Sequence, residues 1–598
     1  MIIGIAAWTQ VDRQQDVDQL VVNQLNRSDY DVIVVGGDPE GVMAAVASAR
    51  KGARTLLIES RDGLGATMTY GMLNYLDLSF LNDQNINAGL FKEWHDLVGG
   101  TSIFEPDRAK AAFLQLVKQE PNLTLALNTK VREPLFEAGS KRLIGLVAEN
   151  DQGEHRLSAK RIIDCTQDAD FAAMSGVPYF VGMEDIGIRT EMSVTLMIHL
   201  KDVDWNGVHR AVEQKKFGGG FINKNAAWGF WELKDAYQPR EKGARLRGLN
   251  IALNEDGTIY INALQLMGVD GLDLKAKQEA TEAGKRETGH ILSFMQKEFP
   301  GFERAQIASF PEELYVRETR HIEAEYQLQV SDLWENKDQW DSIGFGGYPL
   351  DIQATAFHRD DAVLGAPRLY AIPFRSLVPL AVDNLLVASR ASGYSSLAAS
   401  SARVIPTGMT AGQAAGVAAV LSIEDEISFR EMSRDRERMF ELQEELRKQG
   451  AALYAFQMKY PYQGEWFYPA VKSLLSFGLI AGGYENNLHA EETMNETDAL
   501  RLFERSVRIL EPGRKQEVEA NLEPLKKSVR QRSITRDKLL EIALATQGER
   551  TSGRSLQTAK DKGLIDPIFA EKVRNNRELN RAEIYHFLAH LYRDQLSK

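Results

Sequence analysis

Asp31-Val-Ile-Val-Val35 runs directly into Gly36-Gly-Asp-Pro-Glu-Gly41, and that junction decides how the first half of the chain folds. A run of branched apolar residues reads as a buried strand, and the glycines after it force a tight turn. Val42 to Lys51 is Ala-rich and helical, Gly52 stops it, and Arg54 to Ile58 is a second strand closed by Glu59. Strand, glycine turn, helix, strand and acid within about thirty residues is the pattern of a βαβ unit that binds a dinucleotide. Gly36, Gly37 and Gly41 let backbone approach a pyrophosphate, the helix N-terminus faces its charge, and Glu59 accepts from ribose hydroxyls. Asp38 stands where the close-approach glycine normally lies. With Pro39 at the first helical position it makes a good N-cap, and its carboxylate competes with a phosphate for the same N–H groups.

A chain of 598 residues exceeds one hydrophobic core, so two or three domains are expected. Its composition, 43% hydrophobic and 26% charged, can bury a sizeable core. A formal charge of -13 argues against nucleic acid as a partner and opposes docking on an anionic membrane. Cys165 is the sole cysteine, which excludes an intramolecular disulfide, a redox dithiol and a cysteine-ligated iron–sulfur cluster. Met1 to Trp8 is apolar but too short to span a bilayer; it reads as the tail of a clipped signal or as a disordered start, with Thr9 to Ser28 a polar tether. His586 and His590 lie four apart on a helix without a third ligand, so no metal is expected. No GxSxG elbow is present.

Further segments follow in order. Glu59-Ser-Arg-Asp-Gly-Leu-Gly65 continues the second strand, and Arg161-Ile-Ile-Asp-Cys-Thr-Gln-Asp-Ala-Asp170 is a strand and turn followed by Ser175-Gly-Val-Pro178. Then come Tyr315-Val-Arg-Glu-Thr-Arg-His321, Tyr348-Pro-Leu-Asp351, Ile372-Pro-Phe-Arg-Ser-Leu-Val-Pro379 and Asp383-Asn-Leu-Leu-Val-Ala-Ser-Arg390. Ser401-Ala-Arg-Val-Ile-Pro-Thr407 and Gly412-Gln-Ala-Ala-Gly416 close the series. From about residue 29 to 425 the chain resembles the FAD-dependent oxidoreductases that carry an "RvmPT…GqAaG" segment near the end of the flavin domain. That resemblance implies an FAD site made by Gly36, Gly37, Asp38, Pro39 and Gly41, by Glu59, Ser60 and Arg61, and by Gly65, Ala66 and Thr67. It adds Val131, Thr166, Gln167 and Asp168, then Ser389, Arg390, Thr407, Gly408 and Gln413. The helix after Arg403 would aim its positive end at the flavin ring, although an Ala/Gly-rich helix also suits plain close packing. The chain departs from the pattern at Asp38, at Ala66 in place of a second glycine, and at Gln167 in place of the glycine of "TGD".

Between Met192 and Phe310 the sequence changes to hairpin-like pieces (Asn254 to Tyr260), an aromatic cluster (Trp228, Phe230, Trp231) and a polar helix over 272–298. This reads as a cap that receives a small organic substrate. A flavin supplies the redox chemistry, so the protein must position the substrate and exchange a proton. Arg317, Arg320 and His321, with His358, are the candidates: arginine for clamping an anion, histidine for proton exchange. The alternative is structural, with Glu318 and Arg320 an ion pair and His358 on an exposed loop.

From Ile423 to about Tyr454 the chain is charged and helical, a solvated connection. Beyond it Gly478-Leu-Ile480 recurs as Gly563-Leu-Ile565, and Asn495-Glu-Thr-Asp498 as Asn580-Arg-Ala-Glu583, at one common offset. Each copy reads as helix, glycine stop, loop and N-capped helix with capping-box spacing. Together with Ile534-Thr-Arg-Asp537 these copies resemble surface-layer homology repeats. That resemblance implies a cell-wall polymer as partner and an exported, envelope-associated protein; the alternative is a helical domain that only packs or dimerises, with a cytoplasmic location. The expected architecture is α/β: an FAD-binding dinucleotide fold with an inserted α+β cap domain, followed by an all-α C-terminal domain. The expected activity is hydride transfer between a small molecule and flavin. Its rivals are a binding protein on a decayed flavin fold and an NAD-dependent enzyme, for which Glu59 would serve equally.

Overall fold

The computed structural model describes residues 25, 27–356, 360–549 and 555–596. His358, and the N-terminal stretch apart from Leu25, Arg27 and Ser28, lie outside the described residues. The first sheet has seven strands. We label them β1 (Asp29–Val35), β2 (Thr55–Ile58), β3 (Leu123–Ala126), β4 (Lys130–Phe136), β5 (Leu143–Asn150), β6 (Gly153–Asp164) and β7 (Leu385–Val387). The parallel part runs β3-β2-β1-β6, and β7 joins the far edge of β6 beside its end. β4 and β5 form an antiparallel flap whose inner strand pairs with the first half of β6.

Register brings the carboxyl ends level. Val35 pairs with both Ile58 and Asp164, and Asp164 pairs with Val387. The residues that leave these ends, Gly36, Glu59, Cys165 and Ala388, therefore open on one edge of the sheet, where ligands of such folds collect. Helix α1 (Pro39–Arg50) crosses from β1 to β2 with Pro39 in its first turn, as expected, and is buried along nearly its whole length. The cap comprises an antiparallel six-stranded sheet, a three-stranded sheet and helix α2 (Leu274–Glu298), and it has its own apolar core. Its hairpin over 249–261 turns at Asn254 to Thr258, as the sequence indicates.

Helix α3 (Ile405–Glu424) lies against α1. A Cβ on Gly412 would stand 2.1 Å from the Glu40 carbonyl oxygen, and one on Gly416 2.3 Å from that of Ala44. Ser48 also donates to the Gly416 carbonyl at 3.1 Å. The Gly/Ala body of α3 is thus explained by close helix packing, while its first turn faces the site described below.

The following charged stretch is not a free tether. Helix α4 (Arg436–Lys448) buries Met439, Leu442 and Leu446, and one apolar core continues from β1 and α1 through α3 and α4 into the C-terminal helices. Those helices include α5 (Tyr468–Ser476), α6 (Glu496–Leu510), α7 (Arg536–Thr546) and α8 (Arg581–Leu591). Gly478 and Gly563 both have positive φ, +60° and +67°, at equivalent helix stops. Asn580 makes a full capping box with Glu583, Asn495 caps only through Asp498 N, and Thr535 makes no side-chain cap bond. Single backbone bridges Thr493–Asn580, Asn495–Ser533 and Thr535–Glu578 join the three capping segments into a closed ring. Among the described residues no single helix is long and apolar enough to cross a membrane.

Candidate active site

The glycine turn is shaped by contact. Gly36 has φ +97°, and a Cβ there would lie 2.8 Å from Thr166 N on the neighbouring strand end. A Cβ on Gly41 would fall 1.9 Å from the Gly36 carbonyl oxygen, so α1 can leave the turn only through glycine. Glu59 is buried and accepts from Gly37 N at 2.6 Å and from Arg61 N at 2.7 Å, which fixes the acid at the end of β2 against the turn. Gly65, at φ +98°, donates to the Gly37 carbonyl, and Ala66 follows at φ +38°.

Asp38 departs from its expected role. It occupies the N-cap position, yet its side chain accepts no cap hydrogen bond. Its Oδ1 has no hydrogen-bond partner among the described residues, and the nearest cation, Arg61 Nη1, is 3.8 Å away. Burial, with Glu59, Glu40 and Glu313 nearby, holds this carboxyl well above the usual carboxylate range despite Arg61. Arg61 also clamps Glu313 at 2.6 Å, so one guanidinium spans several acids. Glu40 is pushed by burial up to about 7 and accepts from Gln167 Nε2 at 3.3 Å, so the residue replacing the expected glycine fills space beside the first turn of α1.

A chain of linked cavities runs along the edge. The first, 380 Å³, lies among Gly36, Asp38, Glu59, Ser60, Arg61, Val131, Thr166, Gln167, Asp168 and Lys277. It shares Ser60, Arg61, Gln167, Asp168 and Lys277 with a second of 470 Å³ that adds Thr67, Val316 and Arg390. A narrow third, 50 Å³, lies among Pro39, Glu40, Thr67, Tyr315, Arg317, Arg390 and Arg403 and the start of α3. Through Tyr75 and Asp77 it meets a 750 Å³ chamber between cap and flavin fold, lined by Trp228, Trp231, Arg245, Arg247, Tyr348, Asp351 and Tyr484.

The expected residues divide accordingly. Asp168 accepts from Arg390 at 2.5 Å and Thr319 at 2.6 Å; although burial opposes it, Arg390 holds the carboxylate low. Thr166 is set by Asp164, whose other oxygen caps the short helix Asp170–Met174 through Ala172 N. Ser389 is buried in the turn after β7, where its Oγ accepts from Ala391 N. Thr407 and Gly408 stand in the first turn of α3, and a Cβ on Gly408 would strike Glu40 Oε1 at 2.3 Å. Gln413 is elsewhere: its Oε1 accepts from Leu90 N, and its Nε2 donates to Gln449 O. Two turns into α3, it ties helices together rather than lining a cavity.

Of the proposed catalytic residues, Arg317 reaches the narrow cavity. It donates to Ser193 O and Thr195 Oγ1, and burial with Arg403 and Arg247 nearby lowers it to about 10. Arg320 donates to Asp168 O and pairs with Asp170, rather than with Glu318 as in the alternative structural reading. His321 is buried behind the site, 3.2 Å from Glu318 and stacked on Phe180. The sequence reading missed Tyr315, Asp77, Arg247, Arg403 and Lys277. Tyr315 and Arg403 sit inside the motifs Tyr315–His321 and Ser401–Thr407, whereas Asp77 and Arg247 come from loops whose spacing signals nothing.

The residues fit FAD. The turn around Gly36 is a cradle that side chains would fill, and among the described residues the buried Asp38 Oδ1 beside it and Arg390 Nε further along have no hydrogen-bond partner. The narrow cavity meets the N-terminus of α3, whose end suits an electron-rich ring.

The chain belongs to the family of FAD dependent oxidoreductases, whose pattern matches residues 31–446. The digeranylgeranylglycerophospholipid reductase of Thermoplasma acidophilum is 36% identical over 162 residues, 27% of this chain and 32% of that protein. The chain thus spans about a third of the length of this curated relative. The crystal structure of p-nitrophenol 4-monooxygenase from Pseudomonas putida DLL-E4 covers 71% of this chain and 89% of its own, at 13% identity and TM-score 0.35. That of a geranylgeranyl bacteriochlorophyll reductase-like protein from T. acidophilum covers 82% and 99%, at 12% identity and TM-score 0.36.

Proposed function

We propose that this protein transfers a hydride between a small organic substrate held under the cap and an FAD held along the sheet edge. The carrying observation is the row of neighbouring cavities from the Gly36 turn to the 750 Å³ chamber, each sharing lining residues with the next. In this reading Glu59, Arg61 and Val131 flank the adenosine end, the Gly36–Gly41 turn and Arg390 the diphosphate, and Thr67 and the first turn of α3 the ring end. FAD, when bound, supplies the two-electron acceptor or donor. The protein binds and orients substrate through Arg245 and Arg247 and through the aromatic faces of Trp228 and Trp231. The test is the visible spectrum after incubation with FAD and desalting: retained flavin bands are expected, and a colourless protein refutes the reading.

A second reading concerns the C-terminal helices. We propose that they attach the protein to a cell-wall polymer at the envelope. The supporting observation is the closed ring of bridges among the three capping segments. Co-sedimentation with purified peptidoglycan is expected for the full chain and lost on joint Arg536→Ala and Arg581→Ala substitution; equal binding removes this role.

A further inference from the structure

The narrow cavity between the substrate chamber and the first turn of α3 contains a phenol between two guanidinium groups. Tyr315 Oη accepts from Arg403 Nη1 at 2.8 Å, and the Arg317 guanidinium carbon lies 4.2 Å from the centre of its ring. Arg317 is buried and Arg403 partly so, which limits the water between their charges and the phenol. Arg317 reaches Tyr315 from the same segment, and Arg403 from the end of helix Ser396–Ala402. Facing them are Asp77, which follows Tyr75, Tyr348 and Asp351 from the turn at 348–351, and Arg247 from the cap. Desolvation by the surrounding side chains, with Asp351 nearby, pushes Asp77 up to about 6 against Arg403 and Arg247, so this carboxyl ionises less readily than usual.

We propose that Tyr315 is the catalytic acid–base residue of this site, its oxygen exchanging the proton that accompanies hydride transfer. This rests on the flavin reading above. For oxidation at a carbon bearing a hydroxyl, the O–H proton passes to the Tyr315 phenolate oxygen, and the O–H electron pair becomes the second carbon–oxygen bond. The C–H pair leaves as hydride to the flavin. In the reverse direction the phenol returns the proton. Arg403 keeps its hydrogen bond in both states, which stabilises the phenolate. Burial would raise the Tyr315 phenol, but Arg403 and Arg317 outweigh it and hold it below its ordinary value. Tyr70, Tyr237, Tyr348 and Tyr370 are pushed the other way, chiefly by burial, so Tyr315 ionises apart from them.

The test uses the FAD-loaded full chain, with phenolate absorbance and flavin reduction potential both followed against pH. One phenolate is expected to form below the ordinary phenol range of about 10. The potential should break slope at the same pH. Tyr315→Phe should keep its flavin spectrum and lose both the phenolate step and the break, whereas Arg403→Gln should move both to higher pH. A flavin-bound Tyr315→Phe protein whose two profiles superimpose on wild type overturns the assignment, as does an Arg403→Gln protein that leaves the phenolate step in place. A wild-type chain that takes up no FAD fails the flavin reading itself, and its missing spectrum tells that failure apart from the others.

Discussion

Asp38 replaces the glycine whose absent side chain normally leaves room for a diphosphate, and its structural environment answers part of the problem this creates. An ionised carboxylate beside two phosphates is repulsive, but a buried carboxyl among Glu59, Glu40 and Glu313 holds its proton well above the usual range. The neutral acid can donate to a phosphate oxygen. Affinity for FAD should therefore be highest at low pH and weaken as Asp38 ionises, by up to about tenfold per pH unit, the limit for one proton. Asp38→Asn keeps a donor without the charge and should flatten that dependence; fluorescence titration with FAD across pH measures it, and parallel wild-type and variant curves would count against the account. Glu40 gives a stability counterpart. Its folded value, raised from 4.5 to about 7 by burial, means that the folded state holds the proton more tightly. Its contribution is fully present below 4.5 and is lost as pH rises through about 7. Glu40→Gln should thus recover on the order of 3 kcal/mol at pH 8 and almost nothing at pH 4, read by urea unfolding of the FAD-free protein.

At the scale of elements, the α1–α3 contact joins sequence to site. The glycines at 408, 412 and 416 lie four apart, so they share one face of α3 and allow the first turn of that helix to reach the cofactor edge. A methyl at 412 meets a backbone carbonyl, which cannot swing aside. Gly412→Ala should cost about 3 kcal/mol, the upper end for overpacking, and lower FAD retention as well as melting temperature. The caps provide a finer comparison. Asn580→Ala should cost about 1 kcal/mol because it removes a bond to Glu583 N, whereas Thr535→Ala should cost clearly less because Thr535 makes no such bond. Equal losses in thermal unfolding would show that these caps contribute by some other route. The glycine turn, α1 and the Asn580 cap were legible in the sequence because each is set by neighbours within a few positions. The placement of Gln413 was not legible, because its partners, Leu90 and Gln449, are distant in the chain and leave no local trace. The orientation of Arg320 and His321 was hidden for a related reason: a motif marks where residues lie, but which face each side chain takes depends on the strand pairing of Arg320–Ile322 with Tyr179–Val181.

Across the whole molecule, the boundary suggested by composition is not a boundary in packing. The charged stretch after α3 looked like a linker because its exposed face is rich in Glu and Arg, while its buried face, Met439, Leu442 and Leu446, is too sparse to stand out in composition. The C-terminal helices are likewise bonded to the flavin fold. Asn486 donates to the Ala366 carbonyl at 2.8 Å and accepts from Ala366 N at 2.7 Å, and Gly482 N donates to Leu364 O. Trp334 packs where a side chain on Gly482 would stand, and Tyr484 lines the 750 Å³ chamber. If the C-terminal helices were an appendage, a chain ended at Ser422 would remain soluble and yellow. With a continuous core, ending it there uncovers apolar surface on Leu397, Trp334 and Phe345 that α4, α5 and their connections now cover. The shortened chain should then aggregate or fail to retain FAD, and the full chain should unfold its FAD site and C-terminal helices in one calorimetric transition that added FAD moves upward. Two transitions, with only the lower or only the upper one responding to FAD, would return the C-terminal helices to the status of a separate module.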